Sequence, residues 1–296
     1  NFVFDASVEQ IFVPLISGST LLVLGREHLL DSDRFAVVVR DRGVTHMQGT
    51  PSLLQHLKPG SYPRLRRLCS GGEACPTALA AAWHDYVQFF NKYGPTEATV
   101  NASFHPYDPQ RTYGVTLPIG QPIGNIQLVI LDENRHLLPQ GAMGELYIGG
   151  IGVSRGYLKR PNLTEERFVE WPTGSGRWFY RSGDLVQWSS DGLLLYKGRT
   201  DEQVKIRGHR IELGEVEKVL ASDAGVDKGV VIADKSESSH TRLVAYVIPN
   251  DNFSLTALWN KIAAELPEYM APSTILELAS LPMTPNGKID KRALPR

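Results

Sequence analysis

The sequence predicts an α/β portion that passes into β-rich, barrel-like structure and then into a small α+β domain, and three changes of texture carry that reading. Over residues 1–101 short apolar runs alternate with amphipathic segments, which argues for a parallel sheet with helices on its faces. Over residues 113–198 helical periodicity fades, and Gly and Pro punctuate short runs such as 127–131 and 145–148, the pattern of antiparallel or barrel-like β. After Arg199 strands and helices return in a small mixture. The segments are set at 1–112, 113–200 and 201–296, with the last boundary at Asp201.

Each element has a local reason. Residues 2–4 read as a strand; Ser7 with Gln10 three places on resembles a capping box opening a helix that ends near Gly18. Residues 19–24 read as the next strand, 35–41 as helix, 44–48 as extended, 51–57 as helix, 65–69 as extended and the Ala-rich 76–86 as helix. The run Tyr86-Val87-Gln88-Phe89-Phe90 reads as a buried strand, broken into a loop by Gly94-Pro95. Strand ends in such a sheet point to one crevice, where ligands bind. In the last segment 203–206, 229–233 and 243–248 read as extended, 214–221 and 255–266 as helical.

Composition narrows the class. In 296 residues, 31 basic side chains face 32 acidic ones, so no overall field attracts nucleic acid or an anionic membrane. No apolar run reaches membrane-spanning length. Cys69 and Cys75 suggest neither a disulfide framework nor a thiolate metal site, and a reducing cytoplasm fits best. The start, Asn1-Phe2-Val3-Phe4, reads as though cut from a longer chain.

Several polar clusters offer chemistry. Asn91-Lys92-Tyr93-Gly94-Pro95-Thr96-Glu97 presents an amide, a phenol, a hydroxyl and a carboxylate, a set that could stack on a base, bond a phosphate and hold a hard cation, or form an ordinary turn. Tyr180-Arg181-Ser182-Gly183-Asp184-Leu185 puts a carboxylate after a Gly turn, where it can accept both hydroxyls of a ribose or simply cap the turn. Gly198 to Gly208 packs cations and carboxylates around a strand; Arg199 could hold phosphate oxygens, and a salt-bridged edge strand is the alternative. Asn286-Gly287-Lys288 sets a lysine on a tight turn. Gly152-Val153-Ser154-Arg155-Gly156 matches a serine-hydrolase elbow, but no convincing helix continues after it and no matching Asp and His pair follows. Phosphate-loop, dinucleotide and H-E-x-x-H signatures do not occur.

Taken in order and at these separations, the clusters resemble the adenylate-forming superfamily, most closely the adenylation domains of non-ribosomal peptide synthetases. Phe4-Asp5-Ala6-Ser7 resembles the substrate-pocket segment; Asn91 to Glu97, Gly144 to Gly150 with Arg155-Gly156-Tyr157-Leu158, Tyr180 to Leu185, Gly198 to Glu217, and Asn286 to Lys288 follow as five further motifs, and together they cover essentially the whole chain. The resemblance implies ATP with Mg²⁺: Tyr93 on the adenine, Asn91 at its edge, Gly72 giving close backbone approach, Thr96 at the α-phosphate, Glu97 on the metal, and Asp184 on the ribose with support from Tyr196 and Arg199. It makes Lys288 the bridge between substrate carboxylate and α-phosphate, Asp201 a hinge, and Lys205 part of the later thioester step on a phosphopantetheine arm.

By the same resemblance Asp5 pairs with an α-amino group, and Ala6, Glu9, Gln48, Cys69, Gly71, Lys92, Val100 and Asn101 line a side-chain pocket. Glu9 suits a basic side chain and Lys92 an acidic one, unless the two pair and leave Gln48 and Asn101 to bind an amide or hydroxyl; a polar or basic amino acid is favoured. The expected partners are the amino acid and the carrier-protein and condensation domains of one synthetase. The family's Gly, Ser and Thr-rich phosphate loop lies upstream of the pocket segment and is not in this sequence, so the expectation is an adenylation domain incomplete at its N-terminus and impaired alone. An acyl-CoA or fatty-acyl adenylate ligase, and a non-catalytic interaction module, are the alternatives.

Overall fold

The computed structural model describes residues 4–25, 28, 31–234, 241–284 and 289–295. The chain divides into two units, Asn1–Asp201 and Glu202–Arg296. Helix α1 (Ala6–Ile16) opens the first, but Ser7 already lies inside it: Asp5 holds the cap position with helical φ/ψ and makes no side-chain cap hydrogen bond. The helix stops before Gly18, whose φ of 70° continues it in no L-residue geometry. Val8, Phe12 and Ile16 are exposed, and α1 buries none of its residues.

Residues 19–24 do not form the expected strand; they run without a ladder partner, and Leu24 packs on the core. Residues 2 and 3 of the first expected strand lie outside the described residues, and Phe4 is a bend. Helix α2 (Ser32–Asp41) is capped by Asp31, whose Oδ1 accepts the amides of Asp33 and Arg34 at 3.0 Å each. Strand β1 (His46–Gly49) leads to α3 (Pro51–Leu54), with Thr50 as cap and Pro51 in the first turn, where its missing N–H costs nothing. Strand β2 (Arg67–Gly71), helix α4 (Thr77–Trp83) and strand β3 (Gln88–Tyr93) follow.

Strands β1, β2 and β3 are parallel neighbours, and β4 (Ser103–Pro106) and β5 (Gln121–Pro122) extend the sheet antiparallel. Phe35, Val39, Leu54, Leu68, Ala80, Trp83 and Phe89 form the core between helices and sheet. The second sheet has the order β10-β9-β7-β6, from β6 (Ile126–Leu131), β7 (Met143–Gly150), β9 (Trp178–Trp188) and β10 (Leu194–Arg199), all antiparallel, with β8 (Phe168–Glu170) on β9. Helix α5 (Pro161–Arg167) departs from the sequence reading, which found no helix after Gly156: Pro161 fixes its first turn. It begins well after Ser154, so no strand–turn–helix elbow forms.

In the second unit β11 (Val204–Ile206) and β12 (His209–Ile211) form a hairpin. Its two-residue turn, Arg207 and Gly208, has φ of 51° and 80°, the sign that matches strand twist. Helix α6 (Leu213–Ala221) and helix α7 (Leu255–Glu265) pack on a sheet of β13 (Val226–Asp234), β14 (Arg242–Pro249) and β15 (Thr274–Glu277). Val216, Leu220, Val231, Ala245, Val247, Leu258 and Ile262 are at its core.

Candidate active site

Alternation along β3 sends successive side chains to opposite faces. Asn91 and Tyr93 go to the buried face, whereas Lys92 goes to the other, in register with Gly71 of β2. Asn91 is 1% exposed; its Nδ2 donates to the Pro118 carbonyl at 2.8 Å, while its Oδ1 is buried with no partner among the described residues. A buried, unmatched acceptor aimed by a rigid strand is a ready position for a donor from a ligand. The Tyr93 hydroxyl donates to Asp184 Oδ2 at 2.5 Å. Burial, then the charge of Asp184, pushes the phenol well above its ordinary pKa, so it stays a donor.

Asp184 lies inside β9 and not in a turn after a glycine. Between Arg181 and Leu185 the strand carries extra residues: Tyr147 faces Arg181 and Glu145 faces Leu185, so β9 bulges where β7 does not. The other Asp184 oxygen accepts Arg199 Nη1 at 2.7 Å, and Arg199 turns its remaining fork to Asp201, at 2.6 Å from Nε and 2.8 Å from Nη2. Gly183 is required there: a Cβ would stand 2.6 Å from Arg199 Nη2, and its φ is 74°. Tyr196 packs nearby, its phenol pushed up to about 12 by burial first and the Asp184 charge second.

Beyond β3 the chain folds back on itself. Gly94 has no room for a side chain, since a Cβ would meet the Val100 carbonyl at 2.4 Å. Thr96 is exposed on a single 3-10 turn, Thr96–Ala98, while Glu97 is buried. The Tyr157 hydroxyl donates to Glu97 Oε1 at 2.6 Å, and burial followed by that bond raises the phenol's pKa. Thr99 and Val100, both β-branched, sit at φ of 58° and 70°, a left-handed pair that costs strain. One buried carboxylate fits Mg²⁺, which keeps much of its shell for water and phosphate oxygens. Among the described residues no group of three or more His, Cys, Asp or Glu could hold a metal by itself.

On the opposite face of the sheet a second polar cluster gathers. Gln48, Cys69 and Phe90 share one row across β1, β2 and β3, and Gly71 and Lys92 the next. Glu9, from α1, forms an ion pair with Lys92 and accepts Asn101 Nδ2 at 2.7 Å. Burial resists ionisation of Glu9, but the bonds from Lys92, Asn101 and Gln48 outweigh it and lower its pKa. Burial raises the Cys69 thiol and, with Lys92 nearby, lowers His46. Asp5 and Ala6 lie at the start of α1, Asp5 one turn before Glu9, and Val100 adjoins Asn101.

Of the other expected site residues, Gly72 follows β2 at φ 87°, Asp201 ends the first unit, and Lys205 lies on β11 in the second. Lys288 lies outside the described residues. Sequence reasoning assigned no role to Glu145, Arg181, Arg167 or Tyr157. Glu145, Arg181 and Tyr157 lie inside the matched motifs and Arg167 between two of them, and only their partners distinguish them: Glu145 meets Arg181, Arg167 stands 3.9 Å from Asp201, and Tyr157 meets Glu97.

A half-parallel sheet and a bulged antiparallel sheet meet at Tyr93 and Asp184, and the family matches place this fold among the adenylate-forming enzymes. Residues 1–158 match the AMP-binding enzyme model and residues 215–288 the AMP-binding enzyme C-terminal domain, so the chain belongs to the AMP-binding enzyme family. It is 43% identical over 293 residues to tyrocidine synthase 2 and 40% identical over 292 residues to tyrocidine synthase 1, both of Brevibacillus parabrevis. The matches take in 99% of this chain but only 8% and 27% of those relatives. Among solved structures, IdnL1 superimposes with a TM-score of 0.83 at 31% identity, covering 94% of this chain and 59% of that one. The Vibrio cholerae adenylation domain AlmE, in complex with glycyl-adenosine-5'-phosphate, gives 0.85 at 29% identity, covering 97% and 55%. No helix among the described residues is long and apolar enough to cross a membrane.

Proposed function

We propose that the chain is the part of a peptide-synthetase adenylation domain that binds ATP and an amino acid, joins them as an aminoacyl adenylate, and passes the acyl group to a carrier-protein phosphopantetheine thiol. One observation supports the reading: β3 points Asn91 and Tyr93 to one face and Lys92 to the other, so a single strand would serve a nucleotide site and a polar pocket. The nucleotide would take Tyr93 and Asn91 at the base, Asp184 and Tyr196 at the ribose, Gly72 and Thr96 along the phosphates, and Arg199 beside them. Glu97 would hold Mg²⁺, whose charge offsets that of the departing pyrophosphate.

The α-amino group is assigned to Asp5. Glu9 is held by three donors, from Lys92, Asn101 and Gln48, so it has little capacity left for a cationic side chain. Ala6, Cys69, Gly71 and Val100 complete the pocket, and a neutral side chain able to hydrogen-bond is the substrate that leaves these charges paired. Lys288, Asp201 and Lys205 keep their proposed roles as carboxylate bridge, hinge and participant in thioester formation.

The test is ATP–pyrophosphate exchange in the intact protein carrying this chain, screened over amino acids and over carboxylic acids lacking an amino group. Exchange with amino acids, highest for glutamine, asparagine, serine or threonine, is expected. Better exchange with des-amino acids removes Asp5 from its role and favours an acyl ligase.

A further inference from the structure

We infer that Glu145 is a positioning residue for the Asp184 carboxylate, acting through the backbone bulge of β9 without touching the ribose itself. The inference rests on the proposed role of Asp184 at the ribose. A bulge takes backbone groups out of the ladder, and each N–H so freed needs an acceptor or costs stability. The Gly183 amide, freed in this way, donates to Glu145 Oε1 at 3.1 Å. The same carboxylate receives Arg181 Nε at 3.0 Å on both oxygens. One side chain of β7 therefore grips the bulge at its first residue and again just before Asp184.

The remaining contacts of the bulge leave the carboxylate of Asp184 little freedom. Ser182 Oγ donates to the Leu146 carbonyl at 2.7 Å and accepts the Asp184 amide at 3.0 Å. The Gly183 carbonyl accepts the Thr200 amide at 2.8 Å. Glu145 supplies the only side-chain charge on the β7 side of this frame among the contacts described, and its side chain is 11% exposed, so water does not readily replace it. Without that charge, the Gly183 amide and Arg181 would both lose an acceptor, and the bulge could relax toward regular pairing. Such a shift would turn Asp184 away from its present direction.

Equilibrium binding of ATP and of 2′-deoxy-ATP to the intact protein tests this, because an aligned Asp184 reads the ribose hydroxyl and a merely destabilised fold does not change that ratio. The wild-type protein should bind 2′-deoxy-ATP more weakly than ATP. Glu145→Ala should weaken ATP by about tenfold or more and bring the two affinities together, as expected for one lost charged hydrogen bond. Glu145→Gln, which keeps an acceptor for Gly183, should lose about threefold of the discrimination, and it serves where the alanine variant does not fold. Full discrimination in either folded variant overturns the role of Glu145 alone. Equal affinity of the wild-type protein for both nucleotides overturns the ribose assignment of Asp184, and the inference with it.

Discussion

Tyr93 donates its hydroxyl hydrogen to Asp184 Oδ2 at 2.5 Å, and this bond fastens the end of β3 in one sheet to the bulge of β9 in the other. Both residues are buried, and the second Asp184 oxygen is already taken by Arg199. Removing the hydroxyl leaves a buried carboxylate oxygen without this donor. Tyr93→Phe should therefore lower stability by about 1–3 kcal/mol, read from the urea midpoint. A midpoint within error of wild type would mean that the two sheets do not depend on this contact.

Gly94 shows how tightly the loop after β3 is folded. An added Cβ would stand 2.4 Å from the Val100 carbonyl, 2.6 Å from Asn101 Cα and 2.8 Å from the Ala102 nitrogen, all backbone atoms that cannot swing aside. Gly94→Ala should displace the 3-10 turn and cost about 3 kcal/mol, with loss of adenylate formation greater than loss of fold. Thermal melting and pyrophosphate exchange on one preparation check both parts; unchanged exchange would show that the turn holds no reacting group.

Much of this architecture was legible in order and period. The alternation over residues 76–101 led to α4, β3 and the loop, because buried strands and amphipathic helices write their own periods. The run at 19–24 misled, since an apolar run becomes a strand only beside an edge that accepts it, and the sequence does not show edges. The Asp184 bulge was read as a Gly turn for a related reason: Gly183 announces a positive φ but not whether the chain turns or bulges. Glu9 and Lys92 were recognisable as a possible pair, yet the third and fourth partners, Asn101 and Gln48, come from β-strand register and loop closure. Glu145, Arg181 and Tyr157 had no signal beyond their place in a motif.

His105 gives the first unit a pH dependence. It is 4% exposed, and burial, followed by the charge of Arg111, pushes its imidazole from 6.5 down to about 4; Asp191 and Asp108 act weakly the other way, and Tyr113 shares a hydrogen at 3.0 Å. A base with a depressed folded pKa is stabilising while neutral. That contribution is complete above 6.5 and is lost as pH falls toward about 4. The shift corresponds to about 3 kcal/mol. His105→Phe should flatten the acid limb of the stability curve between these values, measured by urea unfolding at each pH, and an identical limb would assign it to other groups.

The pairing of Glu9 with Lys92 predicts a selectivity that can be inverted. While the pair stands, with Asn101 donating to the second Glu9 oxygen at 2.7 Å, an incoming charge of either sign finds its counter-charge occupied. Lys92→Met removes the cation but leaves Glu9 held by neutral donors in a half-buried site, so the pocket acquires an unpaired negative charge. Exchange with ornithine, lysine or arginine should then rise by about tenfold relative to the neutral substrate. Glu9→Gln should do the reverse, uncovering Lys92 and favouring glutamate or aspartate by a similar factor. Asn101→Ala, which frees one Glu9 oxygen but keeps Lys92 in place, should shift preference toward basic side chains by less. The three variants separate pairing from proximity: if Lys92→Met and Glu9→Gln lose activity equally on every amino acid without changing their order, the pair supports α1 and does not face the substrate side chain.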